Sequence, residues 1–315
     1  MNARTPGCQP ITSRLRESGP VAFNVNVAAR ESRLLVDSPV ASVYDVVCRA
    51  PRSGFGELEL TTVPQITLTR RGVFTVRRRG EDRVADTTTA LLFGLDDEYR
   101  VSHPSGNGDE CTVVVPPLDL IEQVCGGVSG RVGRLESRDQ LAICLATRAL
   151  RDPGADRLEL EEAAMLLLLP VSSAFGKPTG VEPSKLGPAQ RRRVEEARSL
   201  LASAPAAPWD LRTLSGRVRC SPFHLARQFR AATGETISRY LLRLRLAVAI
   251  ERLADDERNL AALAVEVGFA HHSHFSARFR RTFGVTPAQA RELLTKPKVG
   301  ELRALVVQPA LVARA

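Results

Sequence analysis

A repeat in the C-terminal third of the chain is the feature that most constrains its fold. Leu214–Val218 matches Leu263–Val267 at an offset of 49 residues, and Phe229 matches Phe279 at an offset of 50. Each copy has the pattern of a short apolar helix, a turn, and a second helix that ends in basic residues followed by Gly. A short helix, a tight turn and a second helix make a helix-turn-helix unit. The sequence therefore predicts two such units in one chain.

The residues at the turns fit this prediction. Ser221-Pro222 places an N-cap Ser before a Pro at the first helical position, and Gly268 lies where the second turn needs a positive φ. Thr236 to Ala254 has the pattern of one long helix between the units. Because a rigid helix fixes the separation of the units, two recognition helices can enter adjacent major grooves on one face of a duplex.

The positive charge of the chain lies in the same segment. Residues 188–291 contain 18 Lys and Arg against 9 Asp and Glu, whereas the 315-residue chain contains 44 against 35, for a net charge of +9. The formal excess therefore comes from this segment alone, and the rest of the chain is neutral. A basic helical segment attached to a neutral body indicates a polyanion-binding part joined to a sensing or assembly part.

The repeat resembles the C-terminal DNA-binding domain of the AraC/XylS family of transcription regulators. The resemblance covers about Trp209 to Arg291 and is carried by Leu214, Ser221–Leu225, Phe229, Thr233-Gly234, Tyr240-Leu241, Arg245-Leu246, Ala249, Ala264, Val267–Phe269, Ser273–Ser276 and Phe279–Pro287. The chain departs from the family pattern at Ala288–Arg291, where the aromatic that usually precedes the Arg is missing. His271 and His272 also stand where small, acidic or amide residues are common, so the base preference does not transfer.

The resemblance implies which residues face DNA. The implied base contacts are Phe223, Ala226 and Arg227 on the first recognition helix and His271, His272, Ser276 and Ala277 on the second. Arg227 can donate two hydrogen bonds to guanine, and Phe223 can contact a thymine methyl group. Ser221 and Arg280 are implied to contact phosphates, which positions the protein without reading sequence. A solvated helix face remains the alternative for each Arg, and His224 and His274 are expected beside the core.

The N-terminal half has the pattern of many short strands separated by turn residues. Candidate strands are Ser42–Arg49, Glu57–Val63, Gln65–Arg70, Gly72–Arg78, Ala90–Gly94, Tyr99–His103 and Cys111–Val115. This spacing is typical of a barrel or sandwich. Two antiparallel helices follow, over Glu136–Arg151 and Asp156–Leu169. The predicted domains are a lead-in (1–20), a sensor and dimerisation domain (21–175), a linker (176–187), a DNA-binding domain (188–291) and a tail (292–315).

The family resemblance implies a fold for this half as well. It implies a cupin-like double-stranded β-helix followed by two dimerisation helices, and Ala90–Gly94 to Cys111–Val113 is similar to the sensor half of some members. We therefore expect an α+β multidomain chain with an N-terminal β-barrel and two helices, then an all-α domain. The second helix is apolar most of the way round, so it packs either on its own barrel alone or also on another subunit.

Enzymatic function is not expected. The only histidine before the basic segment is His103, and no H-x-H pair exists from which a cupin metal site could be built. His103 with Cys48, Cys111 or Cys125 could form a metal or redox site, but ordinary core or loop positions explain them more simply. Phosphate-binding and nucleophile motifs are absent. No cofactor and no metal are predicted; a non-specific nucleoid protein and a cupin-type metalloenzyme remain as alternatives.

Compartment and partners follow from composition and resemblance. The six cysteines form no C-x-x-C pair, which fits free thiols in a reducing compartment. Met1–Ser18 has no apolar core of a signal peptide, and no apolar run is long enough to cross a bilayer. We expect a cytoplasmic, nucleoid-associated protein. The implied partners are promoter or operator DNA, a second copy of the chain, RNA polymerase if it activates, and a small-molecule effector in the N-terminal domain.

Overall fold

The computed structural model describes residues 30–127, 130–175 and 186–296. The predicted lead-in (1–20), residues 176–185 of the predicted linker and residues 297–315 of the predicted tail lie outside these ranges.

Ten strands in two antiparallel sheets build the N-terminal half. They are β1 (Arg30–Asp37), β2 (Ser42–Cys48), β3 (Glu59–Leu60), β4 (Gln65–Gly72), β5 (Phe74–Arg78), β6 (Glu81–Ala85), β7 (Thr89–Phe93), β8 (Glu98–Ser102), β9 (Asp109–Val115) and β10 (Arg131–Arg134). One sheet has the order β1-β2-β9-β4-β7-β10 and the other β3-β8-β5-β6. The predicted strand-rich fold class is confirmed.

Some strand predictions need correction. The strand predicted over Glu57–Val63 shrinks to the two residues of β3, whereas β1, β6 and β10 were not predicted. All three of these lie at sheet edges, where each pairs with one neighbour. These edge strands carry charged residues in place of a regular alternation of apolar residues, so their sequences lack the usual signal of a strand.

Side chains of the six-stranded sheet alternate between two cores, as the period of a strand requires. One face contributes Tyr44, Val46, Leu91, Phe93 and Val113, which pack against residues of the four-stranded sheet. The opposite face contributes Val43, Ile66, Leu68, Leu92 and Val114, which pack against helices. The sheets therefore enclose an apolar interior, and the helices cover the outer face of the larger sheet.

Three helices, rather than the predicted two, belong to this half: α1 (Leu118–Cys125), α2 (Ser137–Leu150) and α3 (Arg157–Phe175). α2 is buried along nearly its whole length. α3 continues past the predicted end at Leu169 and includes a buried Pro170. It leaves Leu158, Met165 and Leu169 exposed on one side, at 66%, 56% and 43%.

Seven helices follow in the basic segment: α4 (Pro188–Ser203), α5 (Leu211–Arg217), α6 (Pro222–Thr233), α7 (Ile237–Ala254), α8 (Leu260–Glu266), α9 (His272–Phe283) and α10 (Pro287–Thr295). α5 and α6 form the first predicted helix-turn-helix unit, and α8 and α9 form the second. α7 is the predicted long connecting helix. α10, which was not predicted, begins with a capping box between Thr286 and Gln289.

The two halves share one apolar core. It runs from Val43 and Leu68 of the sheet through Leu145 of α2 to Ile250 of α7 and Phe279 of α9. α2 lies between the sheet and the helices of the basic segment, which explains its burial. No helix in the described ranges is long and apolar enough to cross a membrane.

Candidate nucleic-acid interface

α6 is the first predicted recognition helix, or reading helix, and it begins as its sequence predicts. The Ser221 hydroxyl accepts a hydrogen bond from the backbone N–H of His224 at 3.3 Å, and Pro222 occupies the first helical position. The helix ends at Gly234, whose φ of 74° is the left-handed conformation that glycine adopts without strain. These signals fix the ends of α6, so the residues predicted to read DNA fall in its first two turns.

The second reading helix, α9, has a similar end but a different beginning. His271 is the N-cap residue and accepts no side-chain hydrogen bond there, whereas Gly284 closes the helix with a φ of 79°. The turn between α8 and α9 contains Gly268 at a φ of 92°, as predicted. A Cβ at Gly268 would lie 2.8 Å from Arg245 Nε, so glycine is required by space as well as by backbone conformation.

The corresponding turn of the first unit uses an arginine. Arg219, which matches Gly268 in the repeat, has a φ of 52° and is exposed. Non-glycine residues in this conformation are strained. The repeat itself carries the signal that could have revealed this, since it aligns Arg219 with the glycine of the second turn.

Buried aromatic side chains of α6 and α9 belong to the cores on which the two reading helices pack. Phe229 of α6 contacts the ring of Tyr240 in α7, with ring centroids 5.3 Å apart. Phe275 and Phe279 pack edge-on at 5.6 Å within α9. All four rings are buried. At 1.5 Å per residue α7 is about 27 Å long, and both helix-turn-helix units pack against it, through α6 and through α8.

The predicted base-contacting residues lie on the outer surface of α6 and α9. Phe223 is 72% exposed, although it is a large aromatic. Exposed with it are Arg227, His271, His272 and Ala277, whereas Ala226 and Ser276 are half-buried; Ser221 and Arg280, the predicted phosphate contacts, are exposed. His272 Nε2 and Ser276 Oγ are 3.2 Å apart and share a hydrogen bond.

His224 and His274, which were expected beside the core, are exposed on the surface next to it. Both are exposed, because in each helix it is the next residue, Leu225 or Phe275, that is buried in the core. The His274 ring packs edge-on against Phe269 at 5.5 Å and accepts a hydrogen bond from Arg278 Nε at 3.3 Å. These two histidines therefore belong to the surface around the reading helices.

Exposed arginines without acidic partners surround the reading helices. Within the described ranges, no ion pair joins an acidic residue to Arg212, Arg217, Arg219, Arg227, Arg230, Arg280 or Arg281. Other arginines of the segment are neutralised: Arg198 contacts Asp86 at 3.1 Å, and Arg243 contacts Glu235 at 2.6 Å. The unpaired arginines supply the positive surface that phosphates require.

The N-terminal half contacts the basic segment through a buried carboxylate. Asp86, fully buried between β6 and β7, accepts hydrogen bonds from Tyr240 Oη at 2.5 Å and from Arg198 Nη2 at 3.1 Å. Burial raises the pKa of Tyr240 well above its usual range, and the Asp86 charge adds to the shift. No local sequence pattern reveals this cluster, because its members are distant along the chain.

A second set of contacts joins the N-terminal half to the C-terminal end of α7 and to the last turn of α6. Arg71 donates to Glu251 Oε2 at 3.1 Å and to Asp255 Oδ2 at 2.5 Å, which anchors the C-terminal end of α7 to β4. Arg134 donates to the carbonyl oxygen of Thr233 at 2.8 Å, at the last turn of α6. The N-terminal half therefore touches the reading helix α6 directly as well as through α7.

One further cluster of metal-ligand type lies inside the N-terminal half. Cys48, His103 and Asp109 bring one potential ligand atom each to within 4.8 Å of one another, and all three are buried. The Asp109 carboxylate, and after it the Cys48 thiol, raises the pKa of His103 to about 9. Cys125, which was considered with them, lies apart in α1 beneath the helices.

Comparison with known proteins supports the family resemblance. Residues 214–293 match the family described as a helix-turn-helix domain. The chain is 34% identical over 93 residues to the HTH-type transcriptional activator RhaR of Salmonella typhimurium, which covers 30% of this chain and 33% of RhaR. The chain thus spans about a third of the length of the curated relatives it matches.

Two solved structures are similar. An AraC-type regulator from Chromobacterium violaceum is 27% identical and covers 36% of this chain and 100% of its own, with a TM-score of 0.33. ToxT from Vibrio cholerae is 13% identical and covers 85% of this chain and 100% of its own, also with a TM-score of 0.33.

Proposed function

We propose that this chain is a member of the AraC/XylS family through its C-terminal domain, and that the whole protein is a sequence-specific transcription regulator that responds to an effector. The observation that carries the proposal is the pair of reading helices, α6 and α9, which present exposed N-terminal faces and belong to units that both pack against α7. Two such helices on a rigid support can read adjacent major grooves of one duplex.

The residues on those faces have the chemistry of base readout. Arg227 is exposed and has no acidic partner among the described residues, so its guanidinium is available for two hydrogen bonds to guanine. Phe223 offers an apolar contact to a thymine methyl group, and His271 and His272 offer ring nitrogens to base edges. Because the two faces carry different side chains, the two half-sites should differ in sequence.

The phosphate contacts are proposed to come from residues beside those faces. Arg280 lies in the last turn of α9, and Ser221 lies at the beginning of α6. The remaining unpaired arginines add positive charge, which raises affinity for any DNA and makes binding salt-dependent. Loss of a base contact should therefore change the sequence preference, whereas loss of a phosphate contact should weaken binding to all DNA alike.

Binding-site selection from random duplexes tests the proposal. The intact protein should enrich one sequence with two blocks about one helical turn apart, and that duplex should outcompete random DNA at about 0.15 M salt. If the selected and random duplexes bind equally well with the same salt dependence, the protein is a non-specific DNA binder and the regulator proposal fails.

We further propose that the N-terminal half dimerises through α3 and transmits a signal to the reading helices. The exposed stripe of Leu158, Met165 and Leu169 supports dimerisation, because an apolar helix face in water gains free energy when a second copy covers it. α2 is covered within the subunit, so α3 alone of the two predicted dimerisation helices offers such a face. A cytoplasmic location, and RNA polymerase as a partner if the protein activates, accompany this proposal.

The route for a signal is proposed to be the contact between the two halves. Asp86 reaches Tyr240, and Tyr240 packs on Phe229 in the core of α6. An effector that changes the packing of the sheets would therefore alter the support of a reading helix. The effector is proposed to bind in the N-terminal domain, and its response would appear as a change in affinity for the selected duplex.

A further inference from the structure

We propose that Cys48, His103 and Asp109 form a zinc site in the N-terminal half. The site is separate from the DNA-reading surface, and its chemistry does not depend on DNA binding. Thiolate sulfur, imidazole nitrogen and carboxylate oxygen are all ligands that zinc takes in proteins. The ion would have three protein ligands, and its fourth position would be left for water or a small ligand.

The spacing of the ligand atoms supports the proposal. Cys48 Sγ lies 3.4 Å from His103 Nε2, and Asp109 Oδ2 lies 3.3 Å from the same nitrogen. In a tetrahedral site with Zn–S of about 2.3 Å and Zn–N and Zn–O of about 2.05 Å, neighbouring S and N ligands are about 3.5 Å apart and N and O ligands about 3.3 Å apart. Both distances to His103 Nε2 therefore match the separations that one shared zinc ion imposes, and all three ligand atoms lie within 4.8 Å of one another.

The arrangement is not that of a catalytic triad. In a nucleophile–His–Asp triad one imidazole nitrogen faces the nucleophile and the other faces the carboxylate. Here the sulfur and the carboxylate oxygen both face Nε2. A single N–H cannot point at both, and Asp109 Oδ2 is buried with no hydrogen bond to any described residue. Three atoms that converge on one point are suited to hold an ion there.

The backbone holds the three ligands in place without a metal. Cys48 at the end of β2 and Asp109 at the start of β9 are direct partners across the two strands. His103 follows β8, and its backbone N–H and carbonyl both bond to Ser53, at 3.2 and 2.9 Å. Gly108, at a φ of 69°, lets the loop before Asp109 pass over Cys48, whose carbonyl oxygen would lie 2.1 Å from any Cβ there.

The surroundings suit a tightly held ion. Cys48, His103 and Asp109 are 3%, 7% and 8% exposed. Cys111, two residues beyond Asp109, belongs to the apolar core between the sheets, and its thiol donates to Asp109 Oδ1 at 3.5 Å. Water is largely excluded, which strengthens the attraction between a cation and two anionic ligands.

Cobalt substitution tests the site on the intact protein. The untagged chain is purified under reducing conditions, freed of metal by chelation, and titrated with Co²⁺. We expect one equivalent to give the intense visible bands of tetrahedral Co²⁺ with a thiolate charge-transfer band, and Zn²⁺ to displace it. Cys48→Ser, His103→Gln and Asp109→Asn should each weaken binding by more than about 100-fold, because loss of a supporting residue alone costs 10–100-fold.

Cys125→Ser is the matched control, since it makes the same change at another fully buried cysteine, away from the cluster. It should bind Co²⁺ as the wild type does. The proposal is wrong if the wild-type chain gives no tetrahedral spectrum, or if the three variants retain it.

A second measurement applies if a variant fails to fold. Zn²⁺ should protect Cys48 of the wild type from alkylation, and no protection overturns the proposal. DNA binding by the metal-free protein is measured in parallel, so failure here leaves the regulator proposal separately testable.

Discussion

Asp86 accepts a 2.5 Å hydrogen bond from the hydroxyl of Tyr240, and this bond links the strand-rich half to the helix that supports both reading units. Both residues are buried, and the Tyr240 ring packs against Phe229 inside α6. A side chain of the N-terminal half is therefore two contacts away from the core of a DNA-reading helix. The two halves share a buried core, and Asp86 lies at a buried contact between them.

Tyr240→Phe tests that link. The substitution removes one donor to Asp86 but leaves the donor from Arg198, so we expect a loss of about 1–2 kcal/mol in the free energy of unfolding. Hydrogen exchange should rise in β6 and in the first turns of α7. Tyr99→Phe is the control, because Tyr99 Oη donates to Glu59 at 3.2 Å within the N-terminal half alone. Equal exchange in α7 for both variants would contradict the proposed link.

Substitution should lower the stability of the protein at the glycine of the second turn but not at the arginine of the first. Gly268→Ala forces a Cβ into a left-handed residue and to within 2.8 Å of Arg245 Nε, so we expect a loss of about 1–2 kcal/mol in the free energy of unfolding. Arg219→Gly relieves the same conformation at an exposed position and should not destabilise the protein. Urea denaturation of both variants measures this, and destabilisation by Arg219→Gly would show that the turns are not equivalent.

These turns show how much the sequence could predict. The helices of the basic segment follow from apolar spacing and from caps such as Ser221 and Gly234, which act within a few residues. The cluster of Cys48, His103 and Asp109 depends on strand register and on a loop that brings His103 back to Ser53. The contact of Asp86 with Tyr240 depends on how two halves pack. Register and packing join distant residues, so the local pattern could not place them.

Met165→Asp tests the proposed dimer surface. A carboxylate in the middle of the exposed apolar stripe of α3 would have to be buried in the interface, so we expect the variant to sediment as a monomer at micromolar concentration. Leu34→Asp is the matched control, because Leu34 on β1 is a 49% exposed apolar residue on another element. The dimer proposal fails if the wild-type chain is itself monomeric, or if both variants dimerise normally.

Cysteine reactivity tests the burial of the thiols. In a Cys8→Ser background, Cys220 should react first with iodoacetamide at pH 8, because it alone of the described cysteines is partly exposed. Burial raises the pKa of Cys125 to about 11 and holds the pKa values of Cys111 and Cys144 well above their usual range. At pH 8 these groups remain protonated thiols, which react slowly. Mass spectrometry of the peptides would contradict the fold if Cys111 or Cys144 were modified as fast as Cys220.

We propose that α6 reads bases with Arg227, while residues such as Arg280 contact the phosphate backbone of the DNA. The test is to measure the affinities of Arg227→Ala and Arg280→Ala for the selected duplex and for duplexes changed one base at a time. Arg227→Ala should cost about 1–3 kcal/mol on the selected duplex and remove discrimination at one position. Arg280→Ala should weaken all duplexes alike and reduce the salt dependence by about one ion. If Arg227→Ala instead weakens every duplex equally, α6 does not read sequence through this residue and the account is wrong.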